Sequence, residues 1–293
     1  MRQESKMTEF ARLRRAYHKH LCREVLGYRG RSQVLNIADS SSRISADFSK
    51  RMVDKLCLAI SEKDVAAQTI GQKFAEITAE FLEKAFRKVE HLRPGQWVIS
   101  TSQASAGIMA YDQYEHLNEI QRVLNLNPEL KTALGGDYLI TPDIIVGRKA
   151  EDDEAINRNE TLVDEKNGLV SNAPLRAANV GANSGILHAS ISCKWTIRSD
   201  RAQNTRTEAL NLIRNRKGNA PHIVAVTFEP LPGRLASLAL GTGDIDCMYH
   251  VALSELVAGI EESGQEGHIE QINQLIHGRR LRDISDLPLD LAV

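Results

Sequence analysis

Apolar residues recur every three or four positions over residues 7–26, at Phe10, Leu13, Tyr17, Leu21 and Val25, with charged residues between them. That spacing lays a single apolar stripe along a helix. Residues 47–60 repeat it through Phe48, Met52, Val53, Leu56 and Ile60, and residues 71–89 through Phe74, Ile77, Phe81, Phe86 and Val89. Arg93-Pro94-Gly95 supplies a stop after the third stripe. A short strand is predicted at 96–100, a helix at 105–123, and a further short helix opening at Asn127-Pro128.

Farther along, the period changes. Residues 139–146 are apolar and β-branched but carry Thr141-Pro142, and a proline confines part of such a run to an edge or a bulge. Residues 147–160 read as a polar, acidic surface loop, 161–165 as a brief strand, and the Asn-, Ala- and Gly-rich 172–184 as a long excursion. Residues 186–197 form the best strand of the chain, followed by a helix at 202–213. The run 222–227 is apolar throughout, as a strand buried on both faces should be. A strand at 235–240 and helices at 249–260 and 268–276 complete the pattern. Strands flanked by helices predict an α/β chain with a mixed central sheet. We expect a single domain over 1–293, with an N-terminal helical part at about 1–95, a core at about 96–250 and C-terminal helices at about 250–293.

Composition narrows the classes. No apolar run approaches the ~20 residues of a membrane helix, and residues 1–15 lack the apolar segment of a signal peptide. Cys22, Cys57, Cys193 and Cys247 are scattered without metal-ligand spacing. The expected location is therefore the cytoplasm, with no membrane partner. Charge is balanced, 37 basic against 38 acidic residues, so a nucleic-acid role would depend on how the charge is distributed. Seven basic residues (Lys194, Arg198, Arg201, Arg206, Arg214, Arg216, Lys217) fall between 194 and 217, against the two acids Asp200 and Glu208.

Three places carry candidate chemistry. Asp143 follows the kinking Pro142. Lys194 lies within the best strand, where Ser192 shares its face, and Glu208 lies on the helix that follows. A carboxylate that binds Mg²⁺ beside a lysine suits phosphodiester hydrolysis, because the cation acidifies water and the ammonium orients it. Asp164-Glu165-Lys166 supplies an acid-x-lysine pattern after Pro142-Asp143 at more usual spacing, and composition does not separate the two candidates. The residues after Lys194 do discriminate. Arg198, Asp200 and Arg201 cluster at the strand end, and arginine matches guanine O6 and N7 while a carboxylate accepts from cytosine N4.

The stretch from Ser190 to Asn204, Ser-Ile-Ser-Cys-Lys-Trp-Thr-Ile-Arg-Ser-Asp-Arg-Ala-Gln-Asn, together with Ile140-Thr-Pro-Asp-Ile-Ile-Val146, closely resembles the NgoMIV-like type II restriction endonucleases, the CCGG-cutting branch of the PD…(D/E)XK nucleases. The likeness extends from about Ala38-Asp39 to Val293. It implies a restriction-endonuclease-like sheet and Mg²⁺-dependent hydrolysis of double-stranded DNA. Asp143 would bind the cation, with the Cys193 carbonyl and Glu208. Ser192 would stand where many nucleases keep a carboxylate, and Lys194 would be the motif lysine. Arg198, Asp200 and Arg201 would read the CCGG core. Asp39, Ser41, Gln68 and Arg234 would contact outer base pairs of a GCCGGC site, although Ser41 and Gln68 could equally be helix caps. A palindrome requires a twofold homo-oligomer, and the resemblance implies a tetramer.

One position departs from the family. A glutamate follows the phenylalanine of the helix near Gly71 in these enzymes and helps bind metal, whereas Ala75 follows Phe74 here. Either the carboxylate is gone and uncut DNA is held, or Glu76 or Glu80 replaces it. Glu76 lies about 100° round the helix and is a poor substitute. Two alternatives follow: a catalytically silent site-specific DNA-binding protein, and a repair nuclease of the same class without base specificity.

Overall fold

The computed structural model describes residues 7–29, 34–56, 58–60, 67–101, 107–134, 140–166, 169–170, 172–180, 185–241 and 243–293. The three predicted N-terminal stripes become helices α1 (Glu9–Glu24), α2 (Arg43–Leu56) and α3 (Ala67–Phe86). Helix α2 starts ahead of its apolar pattern because the Ser42 hydroxyl accepts from Ser45 N at 3.2 Å, capping a free amide that hydrophobic spacing does not register. Strand β1 (Trp97–Thr101) follows, then α4 (His116–Leu126) and α5 (Pro128–Leu134), whose proline stands at the first helical position. The expected helix at 105–123 is shorter, since residues 108–114 wind as two turns of 3₁₀-helix.

Strand β2 (Ile144–Lys149) begins two residues after Pro142 and runs on through Gly147, which corrects the surface loop expected at 147–160. The register shifts between Val146 and Gly147 against β3. The glycine is required there, because a Cβ would collide with the Tyr111 ring. Within the acidic stretch, Asp152 accepts from Ala155 N at 2.7 Å and starts the single turn α6 (Asp153–Ile156). The strand expected at 161–165 is absent; Thr161–Asp164 is irregular and leads into a turn. A second short turn, α7 (Ala177–Val180), lies within the expected excursion.

Strand β3 (Gly185–Lys194), helix α8 (Ser199–Asn215) and strand β4 (His222–Thr227) match the reading from sequence closely. The predicted strand at 235–240 is instead helix α9 (Pro232–Ala239), with Pro232 in its first turn. Short apolar runs do not reveal their period, so strand and helix look alike there. The helix expected at 249–260 divides into strand β5 (Cys247–His250) and helix α10 (Leu253–Glu261). Helix α11 (Glu266–His277), strand β6 (Leu281–Asp283) and the turn α12 (Leu287–Asp290) end the chain.

Among the described residues, six strands form one mixed sheet in the order β1-β2-β3-β4-β5-β6. Strands β1 and β2, and β2 and β3, pair antiparallel, with Ile144 opposite Ile191. Strands β4, β5 and β6 pair in parallel. The chain divides into two compact units. One comprises residues 1–92, 192–206 and 224–293; the other comprises 93–191 and 207–223. The first has a core of Phe48, Met52, Phe74, Leu82, Phe228 and Met248. The second centres on Tyr114, Ile144, Ile145, Val146 and Ile191, with the Tyr114 hydroxyl donating to Leu212 O at 2.9 Å. No helix of the described residues is long and apolar enough to cross a membrane.

Candidate functional site

The end of β3 carries the densest set of predicted residues. Alternation buries the Cys193 side chain and leaves Ser192 and Lys194 half-buried on the other face. The Ser192 hydroxyl is shielded from solvent and has no hydrogen-bond partner among the described residues. A buried hydroxyl left unpaired is costly, which sets Ser192 apart from the packed residues around it.

Trp195 fixes this strand end. Its ring meets Phe74 and Phe228 edge-on, at centroid distances of 5.1 and 5.2 Å, and its Nε1 donates to Asn36 Oδ1 at 3.2 Å. Edge-to-face geometry adds stabilisation beyond burial, and truncating a ring packed this way costs about 3–5 kcal/mol. Ala75 follows Phe74 on α3 and is buried. A methyl side chain offers no oxygen, so the carboxylate that the resemblance leads one to expect after Phe74 is missing here. Glu76 does not replace it; that residue is exposed and accepts from Gln72 Nε2 at 2.9 Å.

Past Ile197 the chain emerges, and Arg198 is exposed. The side chains of Asp200 and Arg201, on the first turn of α8, and of Gln68, on the first turn of α3, lie outside the described residues. Arg206, about two turns along α8, donates to the carbonyls of Ser237 and Leu240 at 2.7 and 3.0 Å and so caps the end of α9.

Helix α9 carries Arg234, and here three predicted residues from distant parts of the sequence meet. The Arg234 guanidinium donates to Asp39 Oδ2. The other oxygen of Asp39 accepts from Ser41 N at 3.0 Å and from Ser41 Oγ at 2.6 Å. These bonds, those from Ser41 first, hold the Asp39 carboxyl down at about 2, so it is anionic at neutral pH. Ser41 thus braces Asp39 instead of capping α2; the cap is Ser42.

A residue that the sequence reading passed over completes the cluster. Glu229 is wholly buried, yet Oε2 accepts from Ile197 N at 2.9 Å and Oε1 from Leu231 N at 3.2 Å. Oε2 also lies 3.8 Å from Arg234 Nη1. Burial pushes its carboxyl up to about 7, against the two backbone bonds and Arg234, which act to lower it. The sequence did carry a signal: Phe228-Glu229-Pro230-Leu231-Pro232 sets one acid between an aromatic and two prolines, directly after a buried strand.

In the second unit, Asp143 is half-buried in the step between Pro142 and β2. It directly precedes Ile144, whose partner in the ladder is Ile191, the residue before Ser192. Glu208 is half-buried in the middle of α8. The competing Asp164-Glu165-Lys166 does not lie on a strand. Lys166 N donates to Asp164 Oδ1 at 2.9 Å in a tight turn, and Glu165 and Lys166 are exposed.

Comparison with known proteins gives the family of the chain. The model of the NgoMIV restriction enzyme family matches residues 17–293. The type II restriction enzyme NgoMIV of Neisseria gonorrhoeae is 49% identical over 287 residues, which is 97% of this chain and 99% of that protein. The chain belongs to the NgoMIV restriction enzyme family.

Proposed function

We propose that this chain is a type II site-specific deoxyribonuclease that hydrolyses double-stranded DNA at a palindrome with a CCGG core, GCCGGC as the full site. The observation that carries the reading is the Arg234–Asp39–Ser41 cluster. Arg234 offers donors for guanine O6 and N7, and Asp39 offers an acceptor for cytosine N4. Held side by side, the two match one G·C pair. Paired with each other in the free protein, they are ordered before DNA arrives, which lowers the entropy cost of readout. Arg198, Asp200 and Arg201 read the core pairs, and Ser41 and Gln68 add contacts at the outer pairs.

Cleavage in this reading uses Asp143, Ser192, Cys193, Lys194 and Glu208. The donor set consists of the Asp143 and Glu208 carboxylates and the Cys193 backbone carbonyl. Such oxygens suit a hard divalent cation, so the residues fit Mg²⁺. Asp143 and the Cys193 carbonyl would hold it, and Glu208 would join directly or through water. When bound, it supplies an acidified water and neutralises charge at the phosphate. Lys194 orients the attacking water and balances charge at the scissile phosphate. In-line attack releases a 3′-hydroxyl and a 5′-phosphate, leaving a protruding 5′ end.

A palindromic target requires two copies of the readout surface, so the active form is a homo-oligomer, a dimer at least and a tetramer by likeness to the family. Its expected place of action is the cytoplasm. A second reading, site-specific binding with little cleavage, is favoured by the buried Ala75. Plasmid cleavage in Mg²⁺ tests both. The parent should cut slowly and only at GCCGGC, Ala75→Glu should raise the rate by tenfold or more on the order expected for a catalytic carboxylate, and EDTA should stop both. Cutting without Mg²⁺, or no gain from the glutamate, would contradict this assignment.

A further inference from the structure

We propose that Glu229 is a positioning residue for base readout: its carboxylate ties the strand end that delivers Arg198 to the helix start that delivers Arg234, fixing the spacing between core and outer readers. This rests on the reading of Arg198 and Arg234 as base contacts.

Glu229 has no exposed surface, so it cannot itself touch DNA. Its two oxygens serve two different segments. One accepts from Ile197 N, the residue before Arg198; the other accepts from Leu231 N, at the start of α9 and three residues before Arg234. The oxygen on Ile197 also faces the Arg234 guanidinium at 3.8 Å, and that guanidinium holds Asp39. Glu229 therefore touches the Arg198 segment and the start of α9 through backbone amides, and reaches Asp39 only by way of the Arg234 guanidinium.

The rest of its surroundings make the carboxylate expensive. Phe228 precedes it and packs on Trp195, and buried His250 places Nε2 3.1 Å from the Glu229 carbonyl. Buried ionic groups of this sort are commonly replaceable by apolar ones without loss of stability. What an apolar side chain could not do is bridge two amides from separate segments while facing an arginine. The cost is explained if the bridge sets geometry.

The test is competition binding by the full chain to three duplexes: one bearing GCCGGC, one with the outer pairs exchanged, and one with the core scrambled. Glu229→Gln keeps the shape but loses one amide acceptor and the charge facing Arg234. Its discrimination against exchanged outer pairs should fall about tenfold, while affinity for the scrambled duplex stays within about threefold. Arg234→Ala is the control. If Arg234→Ala discriminates like the parent, the readout assignment fails and this proposal with it. If Arg234→Ala loses discrimination while Glu229→Gln keeps it, even at a lowered melting temperature, Glu229 is merely structural and the proposal alone is overturned. Should Glu229→Gln not fold, Leu231→Pro deletes one bridged amide and leaves the carboxylate in place. It should show the same loss in smaller measure, and unchanged discrimination would overturn the proposal.

Discussion

At the scale of single residues, the proposed function divides between groups assigned to the phosphate and groups assigned to the bases. Lys194 is half-buried at the end of a strand whose neighbouring side chains are mostly packed. Lys194→Ala should therefore abolish cleavage in Mg²⁺ while leaving specific affinity within a few-fold, measured by single-turnover kinetics beside gel shifts; a variant that still cuts would remove Lys194 from the chemistry. Arg198 is exposed, and its truncation should cost ~1–3 kcal/mol of discrimination at one base pair. Undiminished preference in a base-substitution panel would count against it. Legibility at this scale was uneven. Lys194 stood out because a lysine in a strongly apolar strand is conspicuous, and Asp143 because a proline precedes it. Glu229 did not, because a lone acid says nothing about its partners until Ile197 and Leu231 are seen to donate to it.

Elements repeat that contrast. Strands β3 and β4 were read to within a few residues, since long apolar runs rich in β-branched side chains have few alternatives. Helix α9 was mistaken for a strand because its buried Leu235, Ala236, Leu238 and Ala239 leave little polar rhythm to reveal the period. Strand β6, three residues long, left no pattern at all. The junction of β4 and α9 also sets a pH dependence. Glu229, pushed up to about 7 by burial, keeps a proton in the folded chain that the unfolded chain releases near 4.5. Its contribution is full below about 4.5 and is lost as pH rises to 7. His250, pushed down to about 4 by burial, acts oppositely, and its contribution is present above 6.5 and lost as pH falls to 4. Arg234 and Asp39 are the other charged groups at Glu229, and Asp39, held down at about 2, is anionic through this window. Each slope is worth on the order of 3 kcal/mol between its limits, so in the parent chain they oppose each other. Urea denaturation from pH 4.5 to 7 should show Glu229→Gln gaining stability with pH more steeply than the parent. Parallel curves would mean that Glu229 ionises normally.

For the whole molecule, balanced charge was the least informative feature, since it left a nucleic-acid role to the distribution of charge, and the residues proposed to read bases all fall in the first unit. The mixed sheet flanked by helices was legible because strand and helix periods alternate along the chain. The joining of Asp39, Ser41 and Arg234 was not, because nothing local in a sequence reports a bond spanning 195 positions. Family membership then accounts for the chain from residue 17 to its end. The central claim, that this surface selects one palindrome, is tested most directly by equilibrium binding in the presence of EDTA. Affinity for a GCCGGC duplex should exceed that for the scrambled core by on the order of 10³-fold or more, with exchanged outer pairs intermediate. Equal affinity for all three duplexes at moderate salt would contradict it.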